Sequence, residues 1–205
     1  MRRRFLTHGL VVALAAGVAT LSGQAAPALV VDRPAPGAWV IDPARSTVEF
    51  NVTKLGFSDV TGTFRESAGD VRYDPSNIAA SSIRWRVRVA SVATDDSRRD
   101  QSLQASEYFD AAHHPELTFE SRGARPAPDG AFIVTGDLTM RGVTRRLTTT
   151  VRVRPQAPGP SFETSFEVNR YDYGIAGGTV MGRLIGSAVR VRIVAATQPA
   201  PAGIR

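Results

Sequence analysis

From Ile83 to Val89 the chain alternates without exception: Ile83, Trp85, Val87 and Val89 are apolar, while Arg84, Arg86 and Arg88 between them are charged. A period of two puts every apolar side chain on one face of an extended strand and every guanidinium on the other, so the segment must be a half-buried β-strand. The same alternation recurs in Val48-Phe50-Val52, Leu117-Phe119, Phe132-Val134, Leu147-Thr149-Val151-Val153, Phe162-Thr164-Phe166-Val168 and Val189-Val191-Ile193. Many short strands separated by turn residues predict an all-β sandwich or barrel. Pro128-Asp129-Gly130 and Arg141-Gly142 supply the positive φ of hairpin turns, so neighbouring strands are expected to pair antiparallel.

One stretch departs from this pattern. Residues 95–110 are polar and unalternating, with Ser97 three before Asp100 as a capping-box signal, and a short helix is expected there. Its apolar members Leu103, Tyr108 and Phe109 are placed to pack as a lid across one open end of the β structure.

The amino terminus bears on compartment. Arg2, Arg3 and Arg4 precede the uncharged run from Gly9 to Leu21, which is too short to span a bilayer. Residues 1–28 are therefore expected to be a signal peptide, cleaved after Ala25 or Ala28, and Arg2-Arg3-Arg4-Phe5-Leu6 fits the twin-arginine export pattern as well as a general secretory one. The mature protein is expected to be periplasmic or secreted. Without those 28 residues, 177 of the 205 remain, enough for one domain with a core. We expect a linker over 29–36, a β-barrel domain over 37–196 and a disordered tail over 197–205. There is no Cys, so the core must hold the fold without disulfides.

Setting aside the three leader arginines, 22 basic residues face 19 acidic ones, a charge of about +3 spread through the strands. That distribution describes a solvated face and not a nucleic-acid footprint. An outer-membrane barrel is disfavoured because arginines such as Arg146, Arg152 and Arg154 would each cost roughly 2–4 kcal/mol on a lipid face near the midplane. Catalysis has little to stand on: the mature chain keeps only the adjacent His113 and His114, and there is no metal-ligand spacing, no G-x-S-x-G elbow and no phosphate-binding loop before a helix. No catalytic residue, metal or cofactor is expected.

An ordered set of short motifs carries a resemblance. Val60-Thr61-Gly62-Thr63-Phe64, Ser91-Val92-Ala93-Thr94, Arg99-Asp100, Leu103, Ser106, Phe109-Asp110, Pro115, Phe119 and Ser121 are followed by Gly136-Asp137-Leu138-Thr139, Gly142-Val143-Thr144, Asn169-Arg170 and Tyr173-Gly174. This set resembles the YceI family of lipocalin-like, polyisoprenoid-binding proteins over about residues 37–196. The resemblance implies an extended eight-stranded antiparallel barrel with a helical insertion and an elongated apolar pocket for isoprenoid, quinone or fatty-acid-type chains. The chain departs from the family where Arg45 and Lys54 stand at positions commonly His, and where Gly186-Ser187-Ala188-Val189 lacks an acidic residue.

An eight-stranded barrel is just wide enough to be filled by side chains or to hold one small ligand. Small Thr149, Thr164 and Gly136 beside aromatic inward residues favour a pocket, although the same mixture also fits a tapering core. The expected apolar lining is Phe50, Val52, Leu55, Phe57, Phe64 and Trp85, then Leu103, Phe109, Phe119, Leu138, Met140 and Phe166. The expected polar mouth is Lys54, Arg99, Asp100, Asn169 and Arg170, with helix capping for Asp100 and ion pairing for Arg99 and Arg170 as alternatives. The function expected is a carrier for an apolar chain-like ligand. The alternative is a filled-core module that acts on anionic partners through its Arg-rich outer face. Whether two barrels pair as a homodimer is left open.

Overall fold

The computed structural model describes residues 36–178 and 181–201. The expected leader (1–28) and all but the last residue of the expected linker (29–36) lie outside the described residues.

Eleven β segments appear in chain order: β1 (Gly37–Ile41), β2 (Thr47–Lys54), β3 (Ser58–Phe64), β4 (Ser67–Tyr73), β5 (Ser82–Arg88), β6 (Val92–Ala93), β7 (Glu116–Pro126), β8 (Phe132–Met140), β9 (Val143–Arg154), β10 (Ser161–Asn169) and β11 (Ile185–Pro199). One helix, α1 (Ser97–Gln104), lies between β6 and β7. The segments reduce to eight strands because the first three strands are each interrupted. Along one edge of β11, β2 pairs with the Ile185 to Val194 stretch and β1 with Thr197 to Pro199. In the same way β3 and β4 form one line, and β5 and β6 another. Every neighbouring pair is antiparallel, and the β1–β11 pairing closes the sheet on itself. The result is a closed eight-stranded antiparallel barrel with one short helix, as the alternation and the resemblance implied.

The interruptions have local causes. Between β1 and β2, Pro43 opens a single 3-10 turn and brings no backbone N–H to the ladder. Asp42 fixes this turn by accepting from the Ala44 N–H at 3.0 Å and from Arg45 Nε at 2.7 Å. Arg45 Nη2 then donates to the Thr197 carbonyl at 2.9 Å, which ties the break to β11.

The alternation is realised strictly on β5, where Ile83, Trp85 and Val87 are buried and Arg84, Arg86 and Arg88 exposed. The end of the barrel that holds β1 is packed solid. Tyr73 meets Phe132 and Phe162 at ring-centroid distances of 5.8 and 5.5 Å, and Phe132 and Val134 are almost wholly buried. Aromatic rings also press against glycines of the next strand: a Cβ added at Gly62 would sit 2.3 Å from the Phe50 ring, and one at Gly136 2.4 Å from the Phe119 ring. Only glycine admits that approach.

Two expectations are corrected here. The tail does not begin at Thr197, because β11 continues to Pro199 and Thr197 is fully buried, its hydroxyl donating to the Pro160 carbonyl at 2.6 Å. The helix is capped not by Ser97 but by Asp96, whose carboxylate accepts from the N–H groups of Arg98 and Arg99 at 3.0 and 3.1 Å.

Candidate functional site

The barrel is not filled. A cavity of about 470 Å³ runs from the packed end toward the end that carries α1, within the range of small-molecule sites. Its wall is built from the inward side chains of nearly every strand, so the period-two pattern produces it directly. Phe50 and Val52 come from β2, Phe64 from β3, Trp85 from β5, Phe119 from β7, Leu138 and Met140 from β8, and Phe166 from β10. Leu103 and Phe109 descend from the helical insertion, and Phe109 stands edge-on to Phe64 at 5.8 Å. Thr149 and Thr164 also line the cavity and spend their hydroxyls on each other at 2.7 Å. Gly136 does not line it, because the Phe119 ring covers it.

Leu55 and Phe57 are not in this wall, which corrects the expectation for both. They belong to the β2–β3 turn, where Leu55 and Gly56 take positive φ of 57° and 77°. Such a tight turn projects its side chains past the barrel end, and Phe57 is 83% exposed.

The lining also holds Tyr108, expected as a lid residue, and residues outside the expected lining, among them Leu147, Ile185, Val189, Val191 and Ile193. The β9 and β11 members sit in strands whose alternation was plain. Apolar alternation identifies the inward face but does not say which inward residues border empty space.

Charged residues reach the cavity only near the α1 end. Lys54, Arg99 and Arg170 border it as expected, joined by Asp96 and Arg98. Asp100 and Asn169 do not, and both are corrected to structural roles. The Asp100 carboxylate accepts from the backbone N–H and hydroxyl of Thr94, while Asn169 Oδ1 caps a 3-10 turn by accepting from the Tyr171 N–H at 3.0 Å. Arg99 joins the same knot: its Nε donates to Thr94 Oγ1 and its Nη2 to the Thr94 carbonyl, each at 2.8 Å. Asp96 is held below the usual carboxylate range, first by the Arg99 N–H, then by the Arg98 N–H and by both guanidinium charges, with partial burial opposing.

Arg170 is 5% exposed and has no carboxylate partner among the described residues. Its Nη1 donates to the carbonyls of Ile175 and Ala176 at 2.6 Å, its Nη2 to those of Gly182 and Ile185 at 2.6 and 3.0 Å, and its Nε to that of Gly186 at 3.0 Å. The whole planar fork is consumed in fastening the segment between β10 and β11 to the barrel end. The ion-pair alternative for Arg170 is thus replaced by a carbonyl cage. Arg141 fastens the lid from another side, donating to the carbonyls of Ser106 and Gly174.

Arg45 lies at the break between β1 and β2, outside the cavity wall, so of the two positions that depart from His only Lys54 borders the cavity. On the outer face six arginines are paired with acids, Arg84 with Asp70, Arg88 with Glu66, Arg122 and Arg146 with Asp137, Arg154 with Glu163 and Arg190 with Glu167, while Arg72, Arg86, Arg152 and Arg192 are in no salt bridge among the described residues. Among the described residues no group of three His, Cys, Asp or Glu side chains is placed to hold a metal. His113 Nδ1 lies 2.9 Å from Asp110 Oδ1, with the His113 ring exposed and no serine hydroxyl bonded to it among the described residues.

Comparison with known proteins agrees with this architecture. A UPF0312 protein of Azotobacter vinelandii is 31% identical over 171 residues, covering 80% of this chain and 85% of the relative. Another UPF0312 protein, from Vibrio parahaemolyticus, is 32% identical over 150 residues, 72% of each chain. Among solved structures, BcnA of Burkholderia cenocepacia superposes with a TM-score of 0.71 at 24% identity, covering 76% of this chain and 98% of that one. A polyisoprenoid binding domain from Saccharophagus degradans, described as implicated in plant cell wall breakdown, superposes with a TM-score of 0.66 at 16% identity, covering 80% and 99%. At those identities the two structures establish a shared fold. Residues 39–197 match the YceI-like domain, and the chain therefore belongs to the YceI family.

Proposed function

We propose that this protein is a periplasmic carrier that holds one apolar, chain-like molecule, an isoprenoid, an isoprenoid quinone or a fatty-acid derivative, inside the barrel, and that it is a binding protein and not an enzyme. The observation that carries the reading is the cavity of about 470 Å³ walled by aromatic and aliphatic side chains, with charged groups confined to one end. An apolar chain gains roughly 25 cal/mol for each Å² withdrawn from water, so length alone supplies affinity and the end groups supply selection. The Saccharophagus degradans domain with this fold is described as polyisoprenoid binding, which supports the ligand class. The reading that the outer arginines serve anionic partners is weakened for six of them, Arg84, Arg88, Arg122, Arg146, Arg154 and Arg190, by their pairing with Asp and Glu along the wall.

The test is native mass spectrometry with solvent extraction and lipid analysis, on protein purified from the periplasm of its own host. A stoichiometric isoprenoid, quinone or fatty-chain mass that leaves on denaturation is expected. An empty barrel that also refuses polyprenyl and fatty-chain probes would overturn the proposal.

A further inference from the structure

Four large apolar side chains are exposed among the described residues: Leu55, Phe57, Tyr171 and Leu184. They come from three separate segments, yet all lie at the α1 end of the barrel. The Leu55 N–H donates to the Leu184 carbonyl at 2.6 Å, and the Phe57 N–H to that of Lys54 at 3.3 Å, so the β2–β3 turn and the segment before β11 form one rim. Tyr171 leans on the same segment, its hydroxyl 3.5 Å from the Gly182 carbonyl and its ring 4.2 Å from the Arg170 guanidinium carbon. The patch borders the cavity through Lys54, Arg170 and Ile185.

Lys54, Arg98 and Arg183 stand at the rim and form no salt bridge among the described residues. Two of the nearby acids are engaged, Asp96 in capping α1 and Asp59 in accepting from the Thr53 hydroxyl at 2.9 Å. An apolar tip ringed by unpaired cations, with a tyrosine at its edge, is complementary to a leaflet whose surface is negative and whose interior is hydrocarbon.

We propose that this rim docks the barrel on an anionic phospholipid surface, with Phe57, Leu55 and Leu184 entering the boundary between headgroups and acyl chains and Lys54, Arg98 and Arg183 resting among the phosphates. What passes through the contact rests on the carrier reading above, but the contact itself does not. Docked in this way, the cavity opens toward the hydrocarbon, and an apolar chain moves between bilayer and barrel without crossing water. The Arg170 cage gives the rim its fixed shape, because the carbonyls it holds belong to the segment on which Leu184 stands.

The test is co-sedimentation of the mature chain with vesicles of phosphatidylethanolamine and phosphatidylglycerol, and with vesicles of phosphatidylcholine alone. Binding to the anionic vesicles is expected, weakened by salt, and roughly tenfold or more lower for a Phe57→Ser, Leu184→Ser double variant. Both positions are solvent-exposed, so circular dichroism should report an unchanged fold. Arg183→Gln is a second variant, expected to weaken binding to anionic vesicles severalfold and to leave phosphatidylcholine unaffected. A chain that stays in the supernatant with both vesicles, or a double variant that partitions like the parent, would overturn docking. So would a concentration-dependent dimer that the double variant abolishes, without vesicle binding, because the patch would then join two copies of the chain. Farnesol uptake from solution, followed by Trp85 fluorescence in a Trp39→Phe background, reads the carrier function separately. Vesicle binding without uptake in any form supports docking and counts against the carrier reading alone.

Discussion

A single oxygen of Asp100, Oδ1, receives both the backbone N–H of Thr94 at 2.9 Å and its hydroxyl at 2.6 Å. Thr94 is 5% exposed, so this carboxylate satisfies two buried donors at the point where the chain leaves the barrel for α1. Asp100→Ala is expected to lower stability by about 1–3 kcal/mol in urea denaturation, the cost of leaving such donors without an acceptor. Asp100→Asn, which keeps one acceptor oxygen, should recover part of the loss. Equal stability of the alanine variant and the parent would show that water replaces the carboxylate.

Arg170 should be still less replaceable. Removing it strands several inward-facing carbonyls, and Arg170→Met is expected to cost at least about 3 kcal/mol. Arg170→Lys should restore little, since an ammonium offers three donors from one point where the cage needs a planar fork. Denaturation midpoints of the two variants, compared with the parent, decide the matter; a lysine variant as stable as the parent would mean that charge and not geometry holds the cage.

Val191 borders the cavity from the middle of β11. A Val191→Trp substitution grows into empty space instead of packed core, so stability should change by less than about 1.5 kcal/mol. Ligand occupancy, measured by native mass spectrometry, is expected to fall at least tenfold. Undiminished occupancy would place the ligand elsewhere on the molecule.

Falling pH should loosen the lid. Asp96 titrates below its ordinary value because backbone N–H groups and the Arg98 and Arg99 charges favour its anion, and Asp110 does so mainly through its hydrogen bond to His113. A carboxylate held down in the folded state adds stability at and above its ordinary value of about 3.9, and that stability is lost as pH falls through the lowered one. Hydrogen-exchange protection of the α1 amides should hold above that range and fall below it, before the amides of β8 and β9 lose theirs. Loss of α1 protection already near neutral pH would contradict this assignment.

The barrel could be read from the sequence because burial on β5, β8 and β10 follows the two-residue period that the side chains announce. Radial position was harder to read. Leu55 and Phe57 are as apolar as Phe50, but they fall in a turn without the usual Asn-Gly signal, so nothing local said that the strand had ended. Asp100 and Asn169 show a different ambiguity: a short polar side chain suits a cap and a ligand contact equally well, and only the position of Thr94 and Tyr171 separates the two uses. Thr197 failed for a third reason. Its neighbours Gln198, Pro199 and Ala200 look like a loose end, and the partner that orders them, β1, lies more than a hundred residues away in sequence.

That distant partnership also sets the order of events during folding. Trp39 pairs with Pro199 and Ile41 with Thr197, so the seam is among the last contacts that a growing chain can make. Until β11 arrives, β1 and β2 lack the strand along one edge, and β10 lacks its outer neighbour as well. Closure is a contact of high sequence separation and therefore slow relative to hairpin formation. Before that step there is no enclosed interior, only an open curved sheet with aromatic side chains on its concave face, prone to associate with other chains. An apolar molecule present at that moment could be taken up as the seam forms, and the lifetime of the open sheet would then govern which cargo is captured at synthesis.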